Sequence, residues 1–189
     1  MLDPRMLEGI ESSQVRRLTR ADYDRLVEAG TFANEHIELI RGVIVRMVPH
    51  GSPHAGPIQR LNMLLAPKLV GRAHVRVQLP VNALDDSEPQ PDLAVVEAKD
   101  FDDAHPSSAF LLVEVADSSL RYDRATKAPL YAEMGVPEYW IVNVASAEIE
   151  VHLDPKDGRY RTVRTLGKGE SITLAAFDDV AIAVSDVVR

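Results

Sequence analysis

Cysteine is absent from the 189 residues. That single absence removes disulfides, thiolate nucleophiles and Cys-zinc centres, and it fits the reducing cytoplasm expected as the location. No apolar run approaches the roughly 20 residues that span a bilayer. The opening "MLDPRMLEGIESSQ" lacks a basic segment followed by an apolar one, so no secretory signal is expected. There is no glycine-rich phosphate loop and no nucleophile-elbow serine. Positive charge is also short: 21 Lys and Arg stand against 29 Asp and Glu, a formal net charge of −8. This counts against tight, non-specific binding of a phosphate backbone, which usually requires a basic patch.

What remains is an ordinary globular composition, 46% hydrophobic and 26% charged, in a chain long enough for one domain with a sizeable core. Residues 1–18 have no clear periodicity and are expected to form a mobile arm. Residues 19–189 are expected to form a single domain, with no internal repeat or linker. "LTRADYDRLVEAG" (18–30) predicts a helix capped by Thr19 and closed by Gly30. "HIELIRGVIVRMV" (36–48) alternates on either side of Arg41-Gly42 and predicts a hairpin. A helix is expected over 51–71, capped by Ser52, although Pro57 and Pro67 oppose it. Strands are predicted at 74–84, 91–96 and 109–116, and a helix over 118–136 capped by Ser118 or Ser119. A meander at 138–144, 148–153 and 159–166 follows, then a short strand at 170–174. The tail beyond 174 has too little pattern to assign.

The stretch "AFLLVEVADSS" (109–119) carries the sharpest anomaly. Glu114 sits inside a run of strand formers, where an uncompensated carboxylate costs about 1–3 kcal/mol or more. Leu112, Glu114 and Ala116 share one face of the strand, and Leu111, Val113 and Val115 share the other. Asp92 enters the preceding strand, and the loop that joins the two strands suggests that they pair. Two carboxylates at one strand edge repel, and a hard divalent cation such as Mg²⁺ would relieve both repulsion and desolvation. The alternatives are an Arg or Lys partner for Glu114, or an exposed edge strand. Lys127 follows on the next helix, on one stripe with Asp123 and Tyr131. It is either a solvated lysine paired with Asp123, or an ammonium beside the metal that orients water or steadies charge on phosphorus.

"QPDLAVVEAK" (90–99) and "FLLVEVADSSLRYDRATKAPLYAEMGVPEYWIVN" (110–143) resemble the Uma-type family of restriction-endonuclease-like proteins, within the PD-(D/E)XK nuclease superfamily. "HIELIRGVIVRMVPHGSPHAGPIQRLNMLL" (36–65) is similar to the N-terminal half of the same family. The resemblance implies an α/β fold, a restriction-endonuclease-like mixed sheet flanked by helices, here with an added antiparallel strand meander. It implies metal-dependent cleavage of DNA phosphodiesters with Mg²⁺ or Mn²⁺. Pro91-Asp92 stands as the "PD" and Glu114 as the acidic residue of (D/E)XK. Ala116 occupies the usual lysine position, and Lys127 from the following helix takes that role by resemblance. The Val115 carbonyl would be a further metal ligand. Glu38 falls in a segment like the family's Glu-Leu-Ile-x-Gly pattern and is a candidate extra ligand to metal or water, or an unremarkable outward hairpin residue. His54 is a candidate phosphate contact or proton shuttle, near its unperturbed pKa of about 6.5, or a capped, solvated histidine. His50 lies four residues earlier, but Pro49, Gly51 and Pro53 argue against one helix carrying both.

Nucleases of this fold often act as dimers, so a homodimer through the meander at 138–166 is expected, and Trp140 is either a core or an interface aromatic. Lys99, Arg121, Arg124 and Lys127 are the cations available to line a groove, with acidic loops at 84–90 and 98–108 beside them. Two other readings stay open. One is a non-catalytic binding or regulatory module with Glu114 held by Lys127; the other is an enzyme acting on a small phosphodiester.

Overall fold

A computed structural model describes residues 14–47 and 51–189. Most of the expected N-terminal arm (1–13) and His50 therefore lie outside the described residues. The end of that stretch is tied down: Leu18 N–H donates to the Gly42 carbonyl at 3.0 Å and Arg17 to the Arg41 carbonyl at 2.6 Å.

Helix α1 (Arg20–Glu28) starts at Thr19 with the reciprocal Thr19–Asp22 bonds of a capping box. Strands β1 (Ile37–Ile40) and β2 (Val43–Arg46) form the predicted hairpin. Both turn residues are left-handed, Arg41 at φ 52° and Gly42 at φ 74°, as a two-residue turn of this hand requires. A Cβ on Gly42 would sit 3.0 Å from the Leu18 carbonyl oxygen and collide with Arg17. Gly42→Ala is expected to cost at least about 1–2 kcal/mol from the backbone conformation alone. A lower urea midpoint with an unchanged slope checks this.

Helix α2 (Ser52–Leu69) has Gly51 at its N-cap, not Ser52, which is the first helical residue. The helix runs through both Pro57 and Pro67. Their missing hydrogen bonds are outweighed by the buried stripe Ile58, Leu61, Leu65 and Leu69, because tertiary packing supplies most helical stability. Strand β3 (Ala73–Val77) is shorter than predicted, since Gln78 turns to φ 49° and ends the ladder. Then follow β4 (Leu93–Glu97), β5 (Leu111–Ala116), α3 (Leu120–Tyr122), a π-helical turn (Asp123–Lys127), α4 (Ala128–Glu133), β6 (Glu138–Asn143), β7 (Glu148–Lys156) and β8 (Arg159–Leu166). Pro155 is tolerated in β7 because the β6 pairing ends at Leu153, so its absent N–H is not needed there.

Six strands form one sheet in the order β3-β4-β5-β6-β7-β8. Only β5 and β6 are parallel, and the α3–α4 segment makes their crossover. This is the mixed sheet expected from the sequence, with the β6–β8 meander at one edge. The short strand expected at 170–174 is β9 (Ser171–Leu174), and the unassigned tail beyond it folds as β10 (Phe177–Ala183) and α5 (Val184–Val187). One face of the sheet buries Leu111, Val113, Val115 and Trp140 against α2 and the tail. The other buries Leu112, Ala116, Tyr139 and Ile141 against α4 and β1. Trp140 is thus a core residue, its indole N–H donating to Glu138 at 2.7 Å. Among the described residues, no helix is long and apolar enough to cross a membrane.

The acidic loop after β3 closes on the hairpin. Glu88 exchanges backbone hydrogen bonds with Leu39, which leaves its carboxyl buried. Burial first, and then the nearby Asp24 carboxylate, raise that carboxyl from an ordinary 4.5 to about 7, against the pull of Arg20. The folded form therefore holds the proton more tightly than the unfolded chain. Stability from this group is fully present below about pH 4.5 and is lost as pH rises through about 7. Glu88→Gln is expected to raise the melting temperature on the alkaline side and leave it unchanged on the acid side, as thermal melts across that range will read.

Candidate active site

The period of two in β5 turns Glu114 to the face opposite Val113 and Val115. Strands β4 and β5 pair antiparallel with Leu93 opposite Val113. Asp92, one residue earlier, therefore falls level with Glu114. Both line a cavity of about 340 Å³ that also receives Glu38, His54, Val115, Tyr122, Asp123 and Lys127. All five singled-out side chains, and Val115, thus converge on one place.

Lys127 reaches the cavity because the helix after β5 opens into a π turn, with the Ala128 N–H donating to the Asp123 carbonyl. Pro129 follows directly. It has no N–H for the Ala125 carbonyl and its ring would crowd that carbonyl in a regular helix. Lys127 is only 3% exposed, so it is not the solvated lysine of the simpler reading. Its Nζ donates to Glu38 Oε2 at 2.6 Å and to Glu114 Oε1 at 3.1 Å. Burial disfavours the ammonium, but Glu114 and Glu38 outweigh it and hold its pKa above the ordinary lysine value.

Glu38 is not an outward hairpin residue. It is buried and also accepts from Tyr122 OH at 3.0 Å and from the Gln90 N–H at 3.1 Å. His54 is equally buried, with Nε2 3.0 Å from Asp92 Oδ2. The same Asp92 oxygen accepts the Val115 N–H at 2.8 Å. Glu114 accepts from Tyr131 OH at 2.7 Å, on the same Oε1 that Lys127 contacts. Burial raises the Glu114 carboxyl to about 8; Lys127 opposes this, while Asp92, Asp123 and Glu38 add to it. Asp123 is raised to about 6, again by burial, against the Ser119 hydroxyl that donates to it at 2.6 Å.

The site therefore gathers four buried carboxyl groups (Glu38, Asp92, Glu114 and Asp123) around one buried ammonium. Three carboxyl oxygens are left for a cation, one of them Asp123 Oδ1, since Ser119 reaches only the other oxygen of that group. Among the described residues no donor reaches Glu114 Oε2, and Asp92 Oδ1 has only a long 3.4 Å contact from the Gln78 amide. No group of three or more metal-type side chains stands close enough among the described residues to hold an ion by itself. The donor set suits a cation that completes its shell with a backbone carbonyl and water, as Mg²⁺ does.

Tyr122, Tyr131, Gln78 and Gln90 had no assigned role in the sequence. Tyr131 was marked only by its spacing from Asp123 and Lys127, and Gln90 only by standing before Pro91-Asp92. Nothing local marks Tyr122. Of the four cations available to line a groove, Arg124 is engaged by Glu150, Lys99 by Glu97 and Lys127 is buried, which leaves Arg121 exposed without an ion-pair partner among the described residues.

Among curated proteins, none matches this chain. Its fold is similar to a crystal structure from Anabaena variabilis ATCC 29413, described as a putative nuclease belonging to DUF820. The TM-score is 0.66, with 90% of this chain and 97% of that one covered, at 12% identity. Identity that low speaks for the fold alone. The family model described as "Uma2: Putative restriction endonuclease" matches residues 20–185. Spanning nearly all of the domain, that match means that the chain belongs to the Uma2 family.

Proposed function

We propose that the protein is a divalent-metal-dependent nuclease that hydrolyses phosphodiester bonds of DNA. The observation that carries this reading is the level pair Asp92 and Glu114, each with a carboxylate oxygen left over, in one cavity with the Lys127 ammonium. Family membership and the nuclease fold support it. Asp92, Glu114 and the Val115 carbonyl would hold Mg²⁺ or Mn²⁺. Bound there, the metal would supply Lewis-acid chemistry, a more acidic water and neutralised charge on the phosphate oxygens.

The remaining roles belong to the chain. His54 and the Val115 N–H fix one oxygen of Asp92 and so aim the other. Tyr131 does the same for Glu114. Glu38, itself held by Tyr122 and Gln90, positions the Lys127 ammonium at the cavity. From there Lys127 orients the attacking water or stabilises the charge that builds on phosphorus. His54 acts through Asp92, as a positioning residue.

One observation favours the non-catalytic module: Lys127 already satisfies Glu114 and Glu38 without an ion. Incubating supercoiled plasmid with the protein and Mn²⁺ separates the two. Nicking by the parent protein that is lost in Asp92→Asn supports the nuclease. Equal nicking by both rejects this site, and no nicking by either favours the module.

A further inference from the structure

A second cavity, about 760 Å³, opens between α1, β1 and the loops around Glu88 and Asp102. It borders the candidate active site at Gln90 but includes none of Asp92, Glu114 and Lys127. Its lining carries the carboxylates of Asp24, Glu28, Glu35, Glu88, Asp102 and Asp103 against one guanidinium, that of Arg20. Glu35 is taken by Arg46, and among the described residues the other five have no ion-pair partner.

Glu88 is the group that calls for a ligand. It is 8% exposed and its side chain has no hydrogen bond among the described residues. Its backbone groups are bound to Leu39, and its carboxyl lies near enough to Asp24, Arg20 and Tyr23 of the cavity lining to sense their charge. A carboxyl desolvated to this degree without a donor is costly. Burial and the Asp24 carboxylate beside it push this carboxyl up to about 7, against the pull of Arg20.

The chemistry of the lining selects the kind of cation. The carboxyl groups come from four separate segments of the chain: α1, the stretch before β1, the Glu88 loop and the Asp102 loop. The Tyr23 and Phe32 side chains share the lining with them. Aromatic faces and separated carboxylates suit an elongated organic cation with spaced charges.

We infer that this cavity binds a linear aliphatic polyamine, with one ammonium on Glu88 and a second at Asp24. Lysine side chains of a basic peptide offer the same ammonium chemistry, so the test includes both.

The experiment is calorimetric titration of the full chain with spermidine at physiological salt, beside a trilysine peptide. The expected result is one spermidine per chain, weakened roughly tenfold by Asp24→Asn and at least as much by Glu88→Gln. Asp24 is exposed on α1, so its substitution leaves folding intact. Three results would overturn the assignment: no binding of spermidine, equal affinity in the parent and both variants, or binding of trilysine alone.

Discussion

Lys127→Met lowers the free energy of unfolding by about 3–5 kcal/mol, the cost of removing one member of a buried ion pair. The ammonium stands between Glu38 and Glu114, all three side chains less than a tenth exposed. Without it, the Glu38 and Glu114 carboxyl groups are buried with no cation between them. Total stability of such domains is about 5–15 kcal/mol, so the loss is a large share. It corresponds to a fall in melting temperature of about 6–20 °C at this chain length. Adding Glu38→Gln to Lys127→Met restores part of the loss, because the amide oxygen still accepts from Tyr122 and no charge is left stranded. A coupling of about 0.5–3 kcal/mol between the two sites is the expected outcome of the double-mutant cycle. Denaturant unfolding of the four proteins measures it. A Lys127→Met protein as stable as its parent would mean that the ammonium does not hold these carboxylates together.

Glu114→Gln reduces phosphodiester cleavage about a hundredfold or more, close to 3 kcal/mol of activation free energy. The substitution keeps the shape of the side chain and an oxygen for Tyr131 and Lys127. It replaces the ionisable oxygen that Glu114 otherwise presents to the cavity with an amide nitrogen. The lost contact is one that matters most as charge develops on phosphorus, so kcat falls more than KM rises. Stability changes far less than in Lys127→Met, and that split separates a functional carboxylate from a structural one. Single-turnover cleavage and a thermal melt on the same preparation read both quantities. If Glu114→Gln unfolds readily but cleaves like the parent, Glu114 is part of the scaffold and not of the chemistry.

How far these features were legible in the sequence depended on how local their causes are. The two faces of β5 followed from a period of two, and the Thr19–Asp22 box followed from residues three apart. The hairpin was written in Arg41-Gly42. The α2 cap was misassigned by one residue, because Gly51 takes an extended conformation that serine at 52 was expected to supply. Strand β10 escaped notice because its pairing with β9 shifts register between Phe177 and Ala181, which breaks the alternation. The π turn depends on a backbone slip beside Pro129 that composition does not encode. Glu38 was marked by the family pattern, but nothing local separated a site residue from an outward residue of a half-exposed hairpin. Its burial comes from Gln90, Tyr122 and Lys127, all more than fifty residues away in the chain. Asp92, Glu114 and Lys127 were recognisable as a set through the family pattern, whereas the tyrosines that orient them became visible only with the contacts.

The most direct measurement is a calorimetric titration of the full chain with Mn²⁺, repeated on Asp92→Asn and Glu114→Gln. A nuclease site of the kind proposed binds one ion in the parent protein, and either substitution abolishes or strongly weakens that binding. Parent protein that takes up no Mn²⁺ and whose melting temperature is unmoved by it would contradict the metal-dependent nuclease. It would leave Glu38, Glu114 and Lys127 as a buried structural triad.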